Sequence, residues 1–175
     1  MDLTIRKIYE NEIVALGSFY DEIVYYLETH INYPKWIYGD YPSIHSVREC
    51  FKNSTQYIVM KQGEIVGAFV LDEDPAHDYL DGKWSVQLKS GEYLSIHALA
   101  VSLRHQKQGI GKEIVRFCID FAKNNGYKSV RLDVVPGNEP AAKLYEGLGF
   151  RYVETTDLGR RFENIPFFST YELIL

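Results

Sequence analysis

The sequence is poor in cysteine, and this scarcity limits the chemistry open to it. Only Cys50 and Cys118 occur among its 175 residues. Both lie in predicted helices, without the spacing of metal ligands or of a disulfide framework. We therefore expect buried, reduced thiols, as in a reducing cytoplasm, and no metal cofactor.

Long apolar runs and an excess of basic residues are also missing. No apolar run approaches the length of a membrane span, and the N-terminal residues lack the charge and hydrophobicity pattern of a signal peptide. The formal net charge of −5 argues against a general nucleic-acid binder, which needs a basic face. We expect a soluble, cytoplasmic protein without nucleic-acid or membrane partners.

The composition that remains is typical of a globular protein, with 46% hydrophobic and 25% charged residues. The length suits one domain, 1–175, because a chain of this size can bury a full core. Aromatic residues are frequent, at 14% with 14 tyrosines. Tyrosine has an apolar body and a polar tip, so this excess is compatible with a lined pocket as well as with a core.

Hydrophobic periodicity predicts that strands and helices alternate along the chain. Period-two or apolar segments predict strands at 3–8, 56–61, 65–71, 93–101, 129–135, 150–155 and 167–175. Helical spacing predicts four helices, starting after Asn11, after Ser43, at the Gly109–Gly111 turn and after Asn138, the last ending at Gly149. We predict an α/β fold with one mixed, mostly antiparallel sheet, helices on both faces and one parallel pair around the central crossover.

The stretch Gln106-Lys107-Gln108-Gly109-Ile110-Gly111 joins the central strand to the helix that follows it. The first N–H groups of a helix lack intrahelical partners, and the helix dipole favours an anion beside them. Two glycines there would let a phosphate approach closely. By itself, Gly-x-Gly fits a simple tight turn equally well.

Several motifs together resemble the GNAT superfamily of acyl-CoA-dependent N-acyltransferases. They are Leu99-Ala100-Val101, Gln106-x-x-Gly109-x-Gly111, Asn138-x-x-Ala141-x-x-Leu144-Tyr145 and Gly149-Phe150. Their order, spacing and strand–helix context match over roughly the C-terminal half of the chain, whereas the N-terminal half fits in element order. The resemblance implies a single GNAT-like domain with acetyl-CoA as co-substrate.

The resemblance also implies which residues bind the cofactor. Backbone N–H groups of Gln106, Lys107, Gln108, Gly109, Ile110, Gly111 and Lys112 would hold the pyrophosphate. The strand end at Leu99, Ala100 and Val101 would pair with the pantetheine arm, which Asn138 and Ala141 would also contact, and Lys143 would reach the 3′-phosphate. The alternatives are a plain core strand, a helix cap at Asn138 and a solvated lysine.

The same resemblance gives Tyr145 the role of protonating the departing thiolate. A phenol with a pKa of about 10 can donate to a thiolate whose thiol has a pKa of about 8.5. On periodicity alone, Tyr145 would be a core tyrosine. No cysteine lies in the motifs, so we expect direct attack by a primary amine in a ternary complex.

A base would help the amine to lose its proton. Many family members carry a glutamate on the central strand, but Ser95 stands there. His97, which matches the second histidine of a pair in the arylalkylamine branch, is the candidate base, and strand alternation places it on the face of Ser95, Leu99 and Val101. The alternative is a histidine whose ring is satisfied by core hydrogen bonds. Glu92, near the start of the strand, is a poorer candidate.

The acceptor side is expected in the irregular segment 31–42. Its Tyr33, Trp36 and Tyr38 would line a pocket for a small amine held by cation–π contacts, or else form a hydrophobic lid or a homodimer contact. The acidic residues between 72 and 78 would attract a cation or form a solvated loop. Alternative functions are a protein or peptide N-acetyltransferase and a non-catalytic acyl-CoA sensor.

Overall fold

A computed structural model describes residues 2–160 and 165–175. The strands are β1 (Thr4–Lys7), β2 (Gln56–Lys61), β3 (Glu64–Asp72), β4 (Tyr93–Val101), β5 (Ser129–Val134), β6 (Arg151–Thr156) and β7 (Phe168–Ile174). The helices are α1 (Ile13–Glu28), α2 (Ile44–Lys52), α3 (Ile110–Asn124) and α4 (Glu139–Glu146). Short 3-10 helices occupy Glu10–Glu12 and Leu103–His105.

The strands form a seven-stranded sheet in the order β1-β2-β3-β4-β5-β7-β6. The pairs β1–β2, β2–β3, β5–β7 and β6–β7 are antiparallel, whereas β4 and β5, which flank α3, are parallel. A mostly antiparallel α/β sheet with one parallel pair around the central crossover was the prediction from the sequence, and the structure confirms it.

The start of α1 and the end of α4 differ from the predictions, because other residues occupy the cap positions. Asn11 does not cap α1, because it lies inside the 3-10 turn Glu10–Glu12 and Glu12 takes the N-cap position. The prediction that α4 continues to Gly149 is also wrong, since Gly147 already occupies the C-cap. The connection between the predicted strands 150–155 and 167–175 lies partly outside the described residues, at 161–164.

One compact unit comprises residues 2–32, 36–71 and 98–114. Its core contains Leu16 and Tyr20 of α1, Val47 of α2 and Ile58 of β2, all almost fully buried. Apolar positions of the two amphipathic helices supply this core, as their periodicity predicts.

The second unit comprises residues 33–35, 72–97, 115–160 and 165–175. Its apolar core includes Tyr79, Trp84, Tyr93 and Phe168. The segment between β3 and β4 supplies the first two of these, so it is an integral part of the core. Among the helices of the described residues, none has both the length and the apolar character needed to cross a membrane.

Candidate active site

The central strand β4 is interrupted by a backbone irregularity at Ala98. Its φ of 47° lies in the left-handed region, which is uncommon for a residue with a side chain. The hydroxyl of Tyr20 in α1 donates a 2.8 Å hydrogen bond to the carbonyl oxygen of Ala98 and holds this conformation. The predicted alternation of His97 with Leu99 and Val101 therefore does not continue through Ala98.

The parallel pairing of β4 with β5 covers only the first part of β4. It runs from Tyr93 opposite Ser129 to Ile96 opposite Leu132, while β4 continues to Val101. His97 and Asp133, the next residue on each strand, lie beyond this paired stretch. Among the predicted cofactor residues on the strand, Ala100 is buried in the first unit's core, and Leu99 and Val101 are half-buried.

The phosphate-binding candidate loop has the backbone shape that the glycine motif predicts. Lys107 and Gly109 both adopt positive φ angles, of 60° and 85°, immediately before α3 begins at Ile110. The Gly109 carbonyl accepts a 3.1 Å bond from the N–H of Glu113, which closes the first helical turn. The N–H groups of Ile110, Gly111 and Lys112 belong to that turn, where a helix has no internal acceptors. This geometry suits an anion.

The predicted cofactor residues on α4 are arranged around its N-terminus. Asn138 is the N-cap, and its Oδ1 accepts a 3.3 Å bond from the Ala141 N–H, so the helix-cap alternative is confirmed as a contact. Lys143 and Glu139 form an exposed ion pair at 3.2 Å. The ammonium of Lys143 is thus solvated.

Tyr145 of α4 is almost fully buried and packs edge-on against Phe150, with ring centroids 5.7 Å apart. Burial raises the pKa of the Tyr145 phenol well above its ordinary value, and electrostatic interactions with Cys118 and with the Asp133 carboxylate raise it further. The phenol is therefore held in its protonated form, which is the form that a proton donor needs.

His97 lies between two carboxylates of the second unit. Its Nε2 is 3.5 Å from Oδ1 of Asp72, and its Nδ1 is 4.0 Å from Oδ1 of Asp133. Burial lowers the pKa of His97, but Asp72 and Asp133 outweigh burial and Arg160, so the net pKa is raised. Tyr79 stacks on the ring at a centroid distance of 6.1 Å. The imidazole is thus partly exposed, and both charged and aromatic groups surround it.

Asp133 of β5 connects several of these groups. Its Oδ1 accepts hydrogen bonds from the Tyr79 hydroxyl at 2.5 Å and from Nη1 of Arg160 at 2.7 Å. The same carboxylate faces His97 and acts electrostatically on Tyr145. Asp133 therefore raises the pKa of both predicted catalytic residues, His97 and Tyr145.

The acidic stretch after β3 is only partly solvated, with Glu73 and residues 75–77 exposed. Asp72 is largely buried beside His97. Asp74 is buried, and its carboxylate accepts bonds from the N–H groups of Asp78 and Tyr79 and, at 2.6 Å, from the hydroxyl of Tyr93. The solvated-loop alternative is therefore wrong for Asp72 and Asp74, because their carboxylates find internal donors.

The predicted acceptor aromatics separate into two environments. Trp36 packs edge-on against Tyr20 at 6.3 Å, and its backbone N–H and carbonyl bond to the side chain of Asn32. Tyr33 and Tyr38 are exposed, and Tyr38 contacts the ring of Tyr25. Tyr33 and Tyr38 thus have accessible rings, while Trp36 is mainly a packing residue.

Reasoning from the sequence missed Asp133, Tyr79 and Arg160. Asp133 carried a usable signal, because it is an acid near the carboxyl end of an otherwise apolar strand beside the central strand. Arg160 and Tyr79 carried none, since each lies in a connecting segment whose path the sequence does not specify.

The same fold is found in solved structures of acetyltransferases. A GNAT-family acetyltransferase from Streptococcus agalactiae superposes with a TM-score of 0.79 at 17% identity, over 99% of this chain and 95% of that one. A putative acetyltransferase from Salmonella typhimurium, solved with its cofactor acetyl-CoA, gives 0.67 at 18% identity, over 100% of this chain and 95% of that one.

Sequence comparison then identifies the family. Residues 9–150 match the acetyltransferase (GNAT) family, and the chain belongs to it. The mouse protein N-acetyltransferase family 8 member 7 is 33% identical over 111 residues, which are 63% of this chain and 41% of that protein. The chain thus spans about two fifths of the length of this curated relative.

Proposed function

We propose that the protein is an acetyl-CoA-dependent N-acetyltransferase that acts on a primary amine by direct attack in a ternary complex. The family match over residues 9–150 carries the proposal, because it covers the candidate phosphate loop, both strands of the parallel pair and Tyr145. The fold neighbour solved with acetyl-CoA supports the same donor.

The candidate phosphate loop and α4 have the groups that coenzyme A requires. Positive φ at Lys107 and Gly109 and the open first turn of α3 suit a pyrophosphate. Leu99, Ala100 and Val101 would pair with the pantetheine amides, and Asn138, Ala141 and Lys143 would contact the arm and the 3′-phosphate. When bound, acetyl-CoA supplies the thioester carbonyl that the amine attacks.

Tyr145 acts as the acid in this proposal. Its phenol is protonated across the neutral range, which is the form that can donate to the departing thiolate. Burial raises its pKa, which makes the phenol a weaker acid than it is in water. Cys118 does not offer a covalent route, because burial raises the pKa of its thiol and a thiol, unlike a thiolate, is a poor nucleophile.

His97 acts as the base. It takes the proton that the amine loses on forming the new C–N bond, and its contacts with Asp72 and Asp133 stabilise the imidazolium that results. An N–H near the Ala98 irregularity, on the strand end at Leu99, would stabilise the developing oxyanion.

The acceptor proposed is a small amine, for which Tyr33 and Tyr38 offer accessible aromatic faces. A peptide amine is the alternative within the same chemistry. A non-catalytic sensor would bind acyl-CoA without turnover, but it has no use for a buried phenol and a histidine that share one carboxylate. We also propose a single domain, a cytoplasmic location and a possible homodimer.

Thiol release from acetyl-CoA, measured over a panel of small amines and peptides, tests the proposal. Tyr145→Phe should lower kcat by about 10²-fold, the scale of one proton-transfer role, and leave acetyl-CoA affinity unchanged. Tyr152→Phe is the matched control, because its exposed hydroxyl bonds only locally to Thr155. Tight acetyl-CoA binding without turnover on any amine would favour the sensor, and turnover restricted to peptides would favour the protein acetyltransferase.

A further inference from the structure

The two carboxylates that face His97 are not equivalent. Asp133 already accepts two strong donors on Oδ1, and its 4.0 Å separation from Nδ1 of His97 exceeds hydrogen-bond distance. Asp72 stands 3.5 Å from Nε2, and within the described residues its Oδ1 accepts a hydrogen bond from an uncharged backbone N–H, that of Asp74. Nδ1 of the imidazole therefore faces a carboxylate whose charge Arg160 balances, whereas Nε2 faces one that no other cation among the described residues balances.

We propose that Arg160 is a positioning residue for the base. By neutralising Asp133, it leaves Asp72, the nearer of the two carboxylates, to favour the proton on Nε2 and so keeps the Nδ1 lone pair available for the acceptor's proton. The inference rests on the proposed function, and it adds Asp72, Asp133 and Arg160 to the residues on which the proton transfer depends.

Arg160 is well placed to compensate Asp133 permanently. Its Nε donates to Oδ2 of Asp78 and its Nη1 to Oδ1 of Asp133, both at 2.7 Å. The guanidinium lies 5.2 Å from the Phe168 ring centre and is mostly buried. Burial lowers the pKa of Arg160, but Asp133 and the other acidic partners raise it more, so the group stays charged.

The tautomer of His97 follows from this arrangement. In the neutral ring one nitrogen carries a proton and the other accepts. Asp72, from β3, favours the proton on Nε2. Asp133, from β5, has its charge balanced by Arg160 and therefore does little to favour a proton on Nδ1. Tyr79 faces the ring as a hydroxyl that donates to Asp133. In transfer, the N–H bond of the attacking amine breaks, a bond from Nδ1 to that proton forms, and the imidazolium later releases it to solvent.

Loss of Arg160 should remove this preference. Asp133 would regain an uncompensated charge, both ring nitrogens would face anions, and His97 would remain protonated to higher pH. Removal of Asp133 with Arg160 retained should have the opposite effect. Removal of both the Arg160 and the Asp133 charge should return the pKa of His97 close to its wild-type value.

The test is an NMR titration of labelled His97 in the full chain without acetyl-CoA, with the signal assigned by its loss in His97→Gln. We expect Arg160→Gln to raise the pKa of His97 by about one unit, a typical shift for a nearby charge. Asp133→Asn and Asp72→Asn should lower it. Arg160→Gln combined with Asp133→Asn should restore it, and Arg160→Lys, which keeps the charge, should shift it less than Arg160→Gln.

An unchanged or lowered pKa in folded Arg160→Gln would overturn the inference, as would a double variant that stays at the Arg160→Gln value. If Arg160→Gln does not fold, Asp133→Asn decides the question, since a pKa that fails to fall contradicts the proposed asymmetry.

Turnover provides an independent readout. The acidic limb of the kcat profile of Arg160→Gln should move to higher pH by the same amount as the NMR titration, with activity recovered at alkaline pH. A loss of kcat that is equal at every pH would indicate a structural role and overturn the positioning role. If the titration shifts as expected but no amine is acetylated by the wild-type protein, the charge arrangement stands and the proposed function fails.

Discussion

The buried ion pair between Arg131 and Glu172 joins β5 and β7, the strand pair that includes Asp133. Its removal tests how this part of the sheet is stabilised. Nε and Nη2 of Arg131 both lie 3.0 Å from Oε1 of Glu172, and both side chains are at most 2% exposed. The guanidinium also lies about 4 Å from the ring centres of Trp84 and Tyr93. Arg131→Met would remove the cation and leave the carboxylate buried.

The expected cost is about 3 kcal/mol of unfolding free energy, the lower end of the range for breaking a buried pair. The lower end applies because the Ser85 N–H still donates to Oε2 of Glu172 at 3.1 Å. Loss of Nη1 of Arg131, which is buried without a partner in the described structure, also offsets part of the cost.

Urea unfolding followed by tryptophan fluorescence measures this cost, with an unchanged m-value as the check on two-state behaviour. Arg131→Met combined with Glu172→Leu should recover more than half of the lost stability, because no unpaired charge remains buried. Lys143→Met, which breaks an exposed pair, should have almost no effect. A cost below about 1 kcal/mol for Arg131→Met, or a double variant less stable than the single one, would refute the reasoning.

Two further predictions concern the backbone at the proposed donor site. Tyr20→Phe should lower the unfolding free energy by about 1–2 kcal/mol, because the Ala98 carbonyl loses its buried donor, and it should also lower kcat. Gly109→Ala and Gly126→Ala should each destabilise by about 1 kcal/mol, since both positions have positive φ, but only Gly109→Ala should weaken acetyl-CoA binding in calorimetry.

Each of these two predictions has a contradicting outcome. A Tyr20→Phe protein with wild-type stability and kcat would show that the hydroxyl does not hold the Ala98 conformation. Equal acetyl-CoA affinity for the Gly109→Ala and Gly126→Ala proteins would remove the loop from the donor site.

Local patterns in the sequence were sufficient for most of the fold. The range 93–101 predicted for the central strand is that of β4, and Ser43 is the N-cap of α2, because strand periodicity and capping act over a few residues. The glycine motif also predicted the turn before α3. These features depend on neighbours in the chain, so the sequence displays them directly.

The surroundings of His97 could not be predicted in the same way. The positive φ of Ala98 is supported by Tyr20, which is 78 residues away in the chain. Asp133 meets Arg160 across 27 residues and Tyr79 across 54. Charge runs such as 72–78 are usually solvated, and only the folded chain shows that Asp72 and Asp74 have internal partners.

The most direct test of the proposed activity follows the acetyl group itself. The protein is incubated with acetyl-CoA carrying an isotopic label in its acetyl group and with the amine and peptide panel, and the products are examined by mass spectrometry. The account predicts a labelled N-acetyl amide in proportion to the thiol released, slowed by Tyr145→Phe and not by Tyr152→Phe. Thiol release without a labelled amide, or binding of acetyl-CoA without release, would contradict it.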